Sequence, residues 1–226
     1  MTRKNHQKRR FNFKKFLVFI ITIILIGIFV YHLFNVRTKN IVILNNDYYS
    51  DEELIEACKL ENYPKFLTLN TRSIERKLEK FDLINKAKVR KKWGFILQIE
   101  LTNNKVLYYV RSKDVYMTSN NKAYKIPNIS GIPTLINYVP EEIEASFIKE
   151  FSKVDANVIS QISEIEYSKT AFDERRFLLY MNDGNLVYIT VSKTDILNKY
   201  VSIVKKLNNK KGILYLDSGN YFEIKE

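Results

Sequence analysis

Hydrophobic and polar positions along the chain sort into three regimes. The first is an unbroken apolar run, FLVFIITIILIGIFVYHLF, from Phe16 to Phe34, with no Asp, Glu, Lys or Arg in it. As a helix, these 19 residues reach roughly 28 Å at about 1.5 Å per residue, close to the roughly 30 Å hydrocarbon layer of a bilayer. A buried core helix of a soluble protein normally keeps a polar face, and this run has none. It predicts a transmembrane helix over 16–34. A cleaved signal would be shorter and end in small residues. Here Phe29, Val30, Tyr31, Leu33 and Phe34 continue the bulk and no Ala occurs among the first forty residues, so a retained segment is expected.

The second regime alternates short strands with amphipathic helices. KNIVILN (39–45) is a β-branched run and reads as a strand. In YSDEELIEACKL, Ser50 and Glu53 have the spacing of a capping box, and Leu54, Ile55, Ala57 and Cys58 give one apolar face. TRSIERKLEKF follows with Asn70 or Thr71 as its cap and Ile74, Leu78 and Phe81 on one side. Next, Ala87, Val89, Lys91 and Trp93 alternate with polar residues, Gly94 turns the chain, and Leu97, Ile99 and Leu101 return with period two. Strand, helix, helix, strand, strand within about 70 residues predicts a compact α+β unit over 37–106.

The third regime, 107–226, is richer in strands. Val106–Val110 leads in. VYMTSNNKAYKI predicts a hairpin around Asn120-Asn121, and Pro127, Gly131 and Pro133 a loop. PEEIEASFIKEF (140–151) and DANVISQI predict helices, and Ile162–Tyr167 a strand. RRFLLYMNDGNLVYITV is a hairpin around Asp183-Gly184. TDILNKYVSIVKKL predicts one helix facing inward through Ile196, Leu197, Tyr200, Ile203, Val204 and Leu207. GILYLDSGNYFEIKE closes with two strands around Ser218-Gly219. The fold class is α+β: one N-terminal transmembrane helix, a β-α-α-β-β domain, then a mixed β-sheet domain with packed helices.

Charge sets the topology. The formal net charge is +12. Seven positive charges (Arg3, Lys4, Lys8, Arg9, Arg10, Lys14 and Lys15) lie in the tail 1–15, which holds no acid. The positive-inside rule keeps this tail cytoplasmic and sends the rest outside, with Tyr31 and Phe34 at the outer interface. Such a tail also has the chemistry to bind nucleic acid or anionic lipid. The remainder is only mildly basic, so no nucleic-acid partner is expected. The run Lys86, Lys88, Arg90, Lys91 and Lys92 reads as a solvated strand face, with contact to lipid headgroups as the other reading.

The composition narrows the chemistry. Cys58 is the sole cysteine, so no intramolecular disulfide forms, and its place on an apolar helix face reads as a buried structural thiol. Both histidines, His6 and His32, fall in the tail or the span. The exported region therefore lacks Ser-His-Asp and Cys-His catalysis and His-based zinc sites. There is no G-x-S-x-G. The expectation is no catalytic residue, no metal, no cofactor and no small-molecule substrate. A membrane-anchored Ser–Lys hydrolase survives residue counting, as does a tethered binding or adhesion module.

The order of elements and several short motifs resemble the FtsQ/DivIB family of bacterial division proteins. YSDEELIEAC sits where that family begins the first helix of its POTRA (β-α-α-β-β) domain. AKVRKKWGFILQIELT resembles the family hairpin A-x-V-x-R-x-x-P-x-x-L-x-I-x-V-x-E, with Ala87, Val89, Lys91, Leu97, Ile99 and Leu101 in register. Gly94 replaces the proline, and Asn103-Asn104 the Glu-Arg pair. IPTL (132–135), NDGNLVYI and ILYLD (213–217) resemble L-P-x-L, D-G-x-x-V-x-L and Y-I-D-L, the last without a following arginine. The resemblance implies a non-enzymatic scaffold of the division complex, at the septum of a bacterial cell membrane, that helps regulate septal peptidoglycan synthesis. It also implies that FtsB/DivIC-like and FtsL-like coiled-coil partners add a strand near the carboxyl terminus. On this chain the implied site is Leu214, Tyr215, Leu216, Asp217, Tyr221, Phe222 and Ile224. Leu214, Leu216 and Ile224 are expected to pack inward, and Asp217 to serve the turn. Tyr215, Tyr221 and Phe222 divide between partner anchors and core. Glu223, Lys225 and Glu226 are expected to form a solvated edge. A POTRA-bearing export or envelope-assembly component is the alternative family reading.

Overall fold

A computed structural model describes residues 13–126, 129–208 and 210–224. The tail residues Arg3, Lys4, His6, Lys8, Arg9 and Arg10, the loop residue Pro127, and Lys225 and Glu226 of the expected edge lie outside the described residues. Helix α1 (Phe13–Asn35) takes in Lys14 and Lys15 and is long and apolar enough to cross a membrane. The chain then divides between Asn103 and Asn104 into two compact units.

In the first unit, α1 is followed by β1 (Asn40–Leu44), α2 (Asp51–Cys58), α3 (Thr71–Leu78), β2 (Ile84–Lys92) and β3 (Ile96–Asn103). β3 is the central strand, parallel to β1 from Asn40↔Ile96 to Leu44↔Glu100 and antiparallel to β2. Local chemistry sets the helix ends. The Ser50 hydroxyl accepts from the Glu53 N–H at 3.1 Å, and the Asn70 amide oxygen accepts from the Ser73 N–H at 3.2 Å; each satisfies a donor that a helix start leaves open. Leu54, Cys58, Ile74 and Leu78 then meet Ala87, Val89, Leu97, Ile99 and Leu101 in one core. Each such fully buried aliphatic side chain contributes roughly 1.5–3 kcal/mol. Burial raises the pKa of the Cys58 thiol, which keeps it protonated and unreactive at neutral pH.

Three details of this unit depart from the residue pattern. Ala57 is exposed, and the α2 face is carried by Leu54 and Cys58, with Ile55 half-buried. Lys91 is exposed, its Nζ donating to the Leu67 carbonyl at 2.9 Å. Trp93 does not continue the inward alternation: β2 ends at Lys92, and Trp93 stands in the turn, 98% exposed. The alternation stops there because Gly94 (φ +83°) and Phe95 (φ +62°) turn the chain in the left-handed region that a strand cannot hold.

The second unit contains β4 (Val106–Val110), β5 (Val115–Thr118), β6 (Ala123–Tyr124), β7 (Thr134–Leu135), α4 (Glu141–Phe151), α5 (Ala156–Ile159), β8 (Ile162–Tyr167), β9 (Arg176–Met181), β10 (Leu186–Thr190), a 3-10 helix (Val191–Lys199), α6 (Tyr200–Lys206), β11 (Gly212–Tyr215) and β12 (Tyr221–Ile224). Among the described residues its nine strands form one sheet in the order β12-β11-β10-β9-β8-β7-β4-β5-β6. The predicted hairpins β5–β6, β9–β10 and β11–β12 are all antiparallel neighbours. β11 runs parallel to β10, and the helical crossover between them supplies the long connection that a parallel pair needs. The core packs Phe147 between Phe177 (4.1 Å between centroids) and Phe151 (4.8 Å), with Leu107, Ile165, Leu179, Val187, Ile189 and Leu197 around them.

The single helix expected over 194–207 is instead a 3-10 helix followed by α6. Val191, Thr194, Leu197 and Tyr200 are all buried, a spacing of three that a 3-10 helix lines up on one side. The Thr194 hydroxyl donates to the Val191 carbonyl at 3.1 Å, and Lys193 leaves helical geometry (φ −118°). Only from Tyr200 onward does the α period hold.

Two predictions come from this packing. A Cβ added to Gly212 would collide with the Glu223 carbonyl oxygen and press on the Phe222 ring. Gly212→Ala should therefore open β12 from β11, read as faster amide exchange at residues 221–224 while the β9–β10 amides stay protected. The second concerns pH. Tyr108 donates to Glu144 Oε1 at 2.9 Å, and Tyr200 to Asp183 Oδ2 at 2.8 Å. Both hydroxyl pKa values are raised, by burial first; Glu144 adds to the rise at Tyr108, and at Tyr200 Asp183 adds while Asn185 opposes. The folded state thus holds these protons more tightly than the unfolded chain, whose tyrosines titrate near about 10. Their stabilising contribution is full below about pH 10 and is lost as pH rises above it. Urea unfolding should show stability falling above about pH 10, with a shallower fall in Tyr108→Phe.

Candidate functional site

The last hairpin lies at one end of the nine-stranded sheet. Among the described residues β12 pairs with β11 alone, in the register Gly212↔Ile224, Ile213↔Glu223, Leu214↔Phe222 and Tyr215↔Tyr221. One side of β12 is thus bonded within the sheet and the other is an open edge.

The residues that place this hairpin lie upstream. In the β9–β10 turn, Asn185 is 1% exposed. Its Nδ2 donates to Asp183 Oδ2 at 3.0 Å and to the Tyr200 hydroxyl at 3.1 Å, and its Oδ1 accepts from the Gly212 N–H at 3.0 Å. The start of β11 is therefore tied to the β9–β10 turn and to the start of α6. At the other end of β11, Asp217 Oδ2 accepts from Arg176 Nε at 2.6 Å, with side chains only 9% and 15% exposed. Lys193 Nζ donates to the Asp217 carbonyl at 2.8 Å. Asp217 Oδ1 also accepts from the Ser218 N–H at 2.8 Å, which shapes the turn into β12.

The two faces of the hairpin differ. On the core face Leu214 and Leu216 are buried, and Phe222 is half-buried against the same cluster. Ile224 departs from its expected inward packing: it is 51% exposed, because its cross-strand partner is Gly212, which offers no side chain to cover it. On the opposite face three tyrosines stack across adjacent strands. Tyr188 and Tyr215 lie 5.3 Å apart at 23°, and Tyr215 and Tyr221 4.5 Å apart at 13°. The Arg176 guanidinium sits 3.6 Å from the Tyr188 centroid. Aromatic pairs of this kind contribute about 0.5–1.5 kcal/mol each beyond area burial, and the cation adds to them. Tyr215 also donates to Glu223 Oε2 at 3.0 Å.

The seven residues singled out from the sequence thus fall into different roles. Leu214, Leu216 and Phe222 hold the hairpin to the core, Tyr215 is the middle of the stack, and Asp217 holds the turn. Tyr221 and Ile224, each 51% exposed, are the accessible side chains, one on each face. Sequence reasoning missed Arg176, Tyr188, Asn185 and Gly212. The Asp-Gly turn marked the place of Asn185 but not its partners. An open cleft of ≈ 740 Å³ lies elsewhere in this unit, lined by Arg111, Lys113, Tyr138, Glu141 and Glu144 among others; Glu144 is engaged there by Tyr108.

A family model described as the POTRA domain, FtsQ-type, matches residues 36–103. The cell division protein DivIB of Bacillus subtilis is 28% identical over 194 residues, covering 83% of this chain and 74% of that protein. DivIB of Brevibacillus brevis is 27% identical over 233 residues, covering 97% of this chain and 87% of that protein. The solved major extracytoplasmic domain of the trans isomer of DivIB from Geobacillus stearothermophilus is 25% identical, with a TM-score of 0.38 over 47% of this chain and 96% of that one. The chain is thus similar to DivIB cell-division proteins along nearly its whole length, and its first β-α-α-β-β unit matches the FtsQ-type POTRA domain.

Proposed function

We propose that this chain is a bitopic, non-enzymatic scaffold of the division complex. α1 spans the cell membrane with the basic amino terminus in the cytoplasm, and both folded units lie outside, at the septum. β12 receives an added strand from a single-span coiled-coil partner of the FtsB/DivIC type, acting with an FtsL-like protein. Through this attachment the chain helps regulate septal peptidoglycan synthesis.

The observation that carries this reading is β12 itself: a sheet-terminal strand, paired on one side, with Tyr221 and Ile224 exposed. An open edge offers backbone N–H and C=O groups to an incoming strand, and alternate side chains select it. An added strand would extend the tyrosine stack on one face and cover Ile224 on the other. Tyrosines at interface centres rank among the residues whose loss costs most. The orientation of α1 rests on the seven positive charges and absent acids of residues 1–15.

The test is capture from a detergent extract by the tagged full chain, with retained proteins identified by mass spectrometry. Small single-span coiled-coil proteins should be recovered. Tyr221→Lys should weaken their capture by about tenfold or more, the scale of a lost interface tyrosine, while the midpoint of urea unfolding moves little. Undiminished capture by that variant would place the partner site away from β12. Recovery of export machinery in place of coiled-coil proteins would overturn the division-scaffold reading.

A further inference from the structure

The β2–β3 turn carries a residue that the packing does not use. Trp93 is the only tryptophan in the chain and is 98% exposed. Its neighbour Phe95 is held edge-on against Phe66, with centroids 5.5 Å apart at 85°, so the turn is fixed while Trp93 stands free of the core. The Phe95 carbonyl accepts from the Lys39 N–H at 2.9 Å, which fastens this turn to the segment leaving α1. Lys39 is four residues beyond Asn35, the last residue of α1, a reach of at most about 14 Å.

A second loop comes to the same place. The Pro64 carbonyl accepts from the Thr38 N–H and hydroxyl, both at 3.0 Å. Arg37 Nη1 donates to the Asn62 carbonyl at 3.1 Å, and the Phe66 N–H to the Val36 carbonyl at 2.9 Å. This brings Tyr63, 45% exposed, and Lys65 to the end of the unit where the helix enters. Arg37, Lys39, Lys65 and Lys92 are all exposed there. Glu61 is the one acid in the loop 61–66.

We propose that Trp93 and Tyr63, ringed by Arg37, Lys39, Lys65 and Lys92, form a docking face for the headgroup layer of the same bilayer that α1 enters, with preference for anionic phospholipid. This rests on the reading of α1 as a membrane span. Tryptophan and tyrosine concentrate at membrane–water interfaces, where an apolar ring and a polar edge are both satisfied. Lysine and arginine stems lie along such rings while their charges reach lipid phosphates. The hydrogen bonds from residues 36–39 to both loops make the face a continuation of the helix end. A soluble partner would have to compete with a membrane surface a few residues away. Docking gives the first unit a second attachment to the bilayer and fixes its orientation relative to the membrane plane.

The sole tryptophan makes the test direct. The full chain is reconstituted into vesicles of phosphatidylcholine alone or of phosphatidylcholine mixed with phosphatidylglycerol, and its insertion is scored separately by carbonate-resistant flotation and protease protection. On the mixed vesicles Trp93 emission should shift to the blue, lose acrylamide quenching and gain quenching by brominated lipid. The triple change Lys39→Glu, Lys65→Glu and Lys92→Glu should reverse these shifts without altering flotation or thermal unfolding. An inserted chain whose Trp93 keeps the emission and acrylamide accessibility of a water-exposed indole overturns the proposal. So does a Trp93 shielded from acrylamide yet untouched by brominated lipid, which would mean burial against protein. A chain that does not insert overturns the reading of α1, and the docking face with it.

Discussion

The second unit depends on one buried amide. Asn185 has both ends of its side chain committed, donating to Asp183 and Tyr200 and accepting from the Gly212 N–H. A half-satisfied amide at 1% exposure would carry a desolvation penalty of about 1–3 kcal/mol, so the arrangement is favourable only when all three partners are present together. Those partners come from the β9–β10 turn, the start of α6 and the start of β11. The long crossover from β10 thereby returns to one defined point, and β11 enters the sheet at one register. The position of β12 follows, since Gly212 is also where β12 comes too close for any Cβ.

The treatment of the strand edges shows what is left available. β2 borders the three-stranded sheet, but the outward N–H groups of Val89 and Ala87 donate to Glu75 of α3 at 2.8 Å and to Glu79, which caps the end of α3, at 3.3 Å. That edge is closed by helix carboxylates. β6 is only two residues long, and short edges template poorly. β1, NIVIL, has no aromatic residue to anchor a partner. β12 differs from all three: it has no such carboxylate cover among the described residues, and a tyrosine stack ends on it. The mild protection it has comes from Glu223, whose charge Tyr215 holds along the strand.

Where a local rule governs, the sequence was legible. Ser50 and Asn70 cap the helices they precede, the Asp183-Gly184 turn joins two strands, and Cys58 is buried because its helix face is. Trp93 and Ile224 were misplaced because alternation says which side a residue takes but not where the strand ends or what stands opposite. Trp93 falls one step past the end of β2, and Ile224 faces a glycine. The 3-10 helix was hidden by the overlap of spacings three and four in Leu197, Tyr200, Ile203 and Val204; Thr194, polar and buried, was the discriminating residue. The Arg176–Asp217 pair, 41 positions apart, was invisible because nothing local to either residue requires the other.

That pair joins the edge to the interior. Arg176 satisfies Asp217 through Nε and covers Tyr188 with its guanidinium plane, and Tyr188 begins the stack that passes through Tyr215 to Tyr221. A mostly buried ion pair tends to recover little more than its desolvation cost. Its consequence here is geometric: a lysine in place of Arg176 keeps the charge but has no plane to lie on the ring. The orientation of the outermost tyrosine is thus set three strands inward. An incoming strand would meet a ring already held in place and lose less ordering entropy on binding than it would against a free side chain.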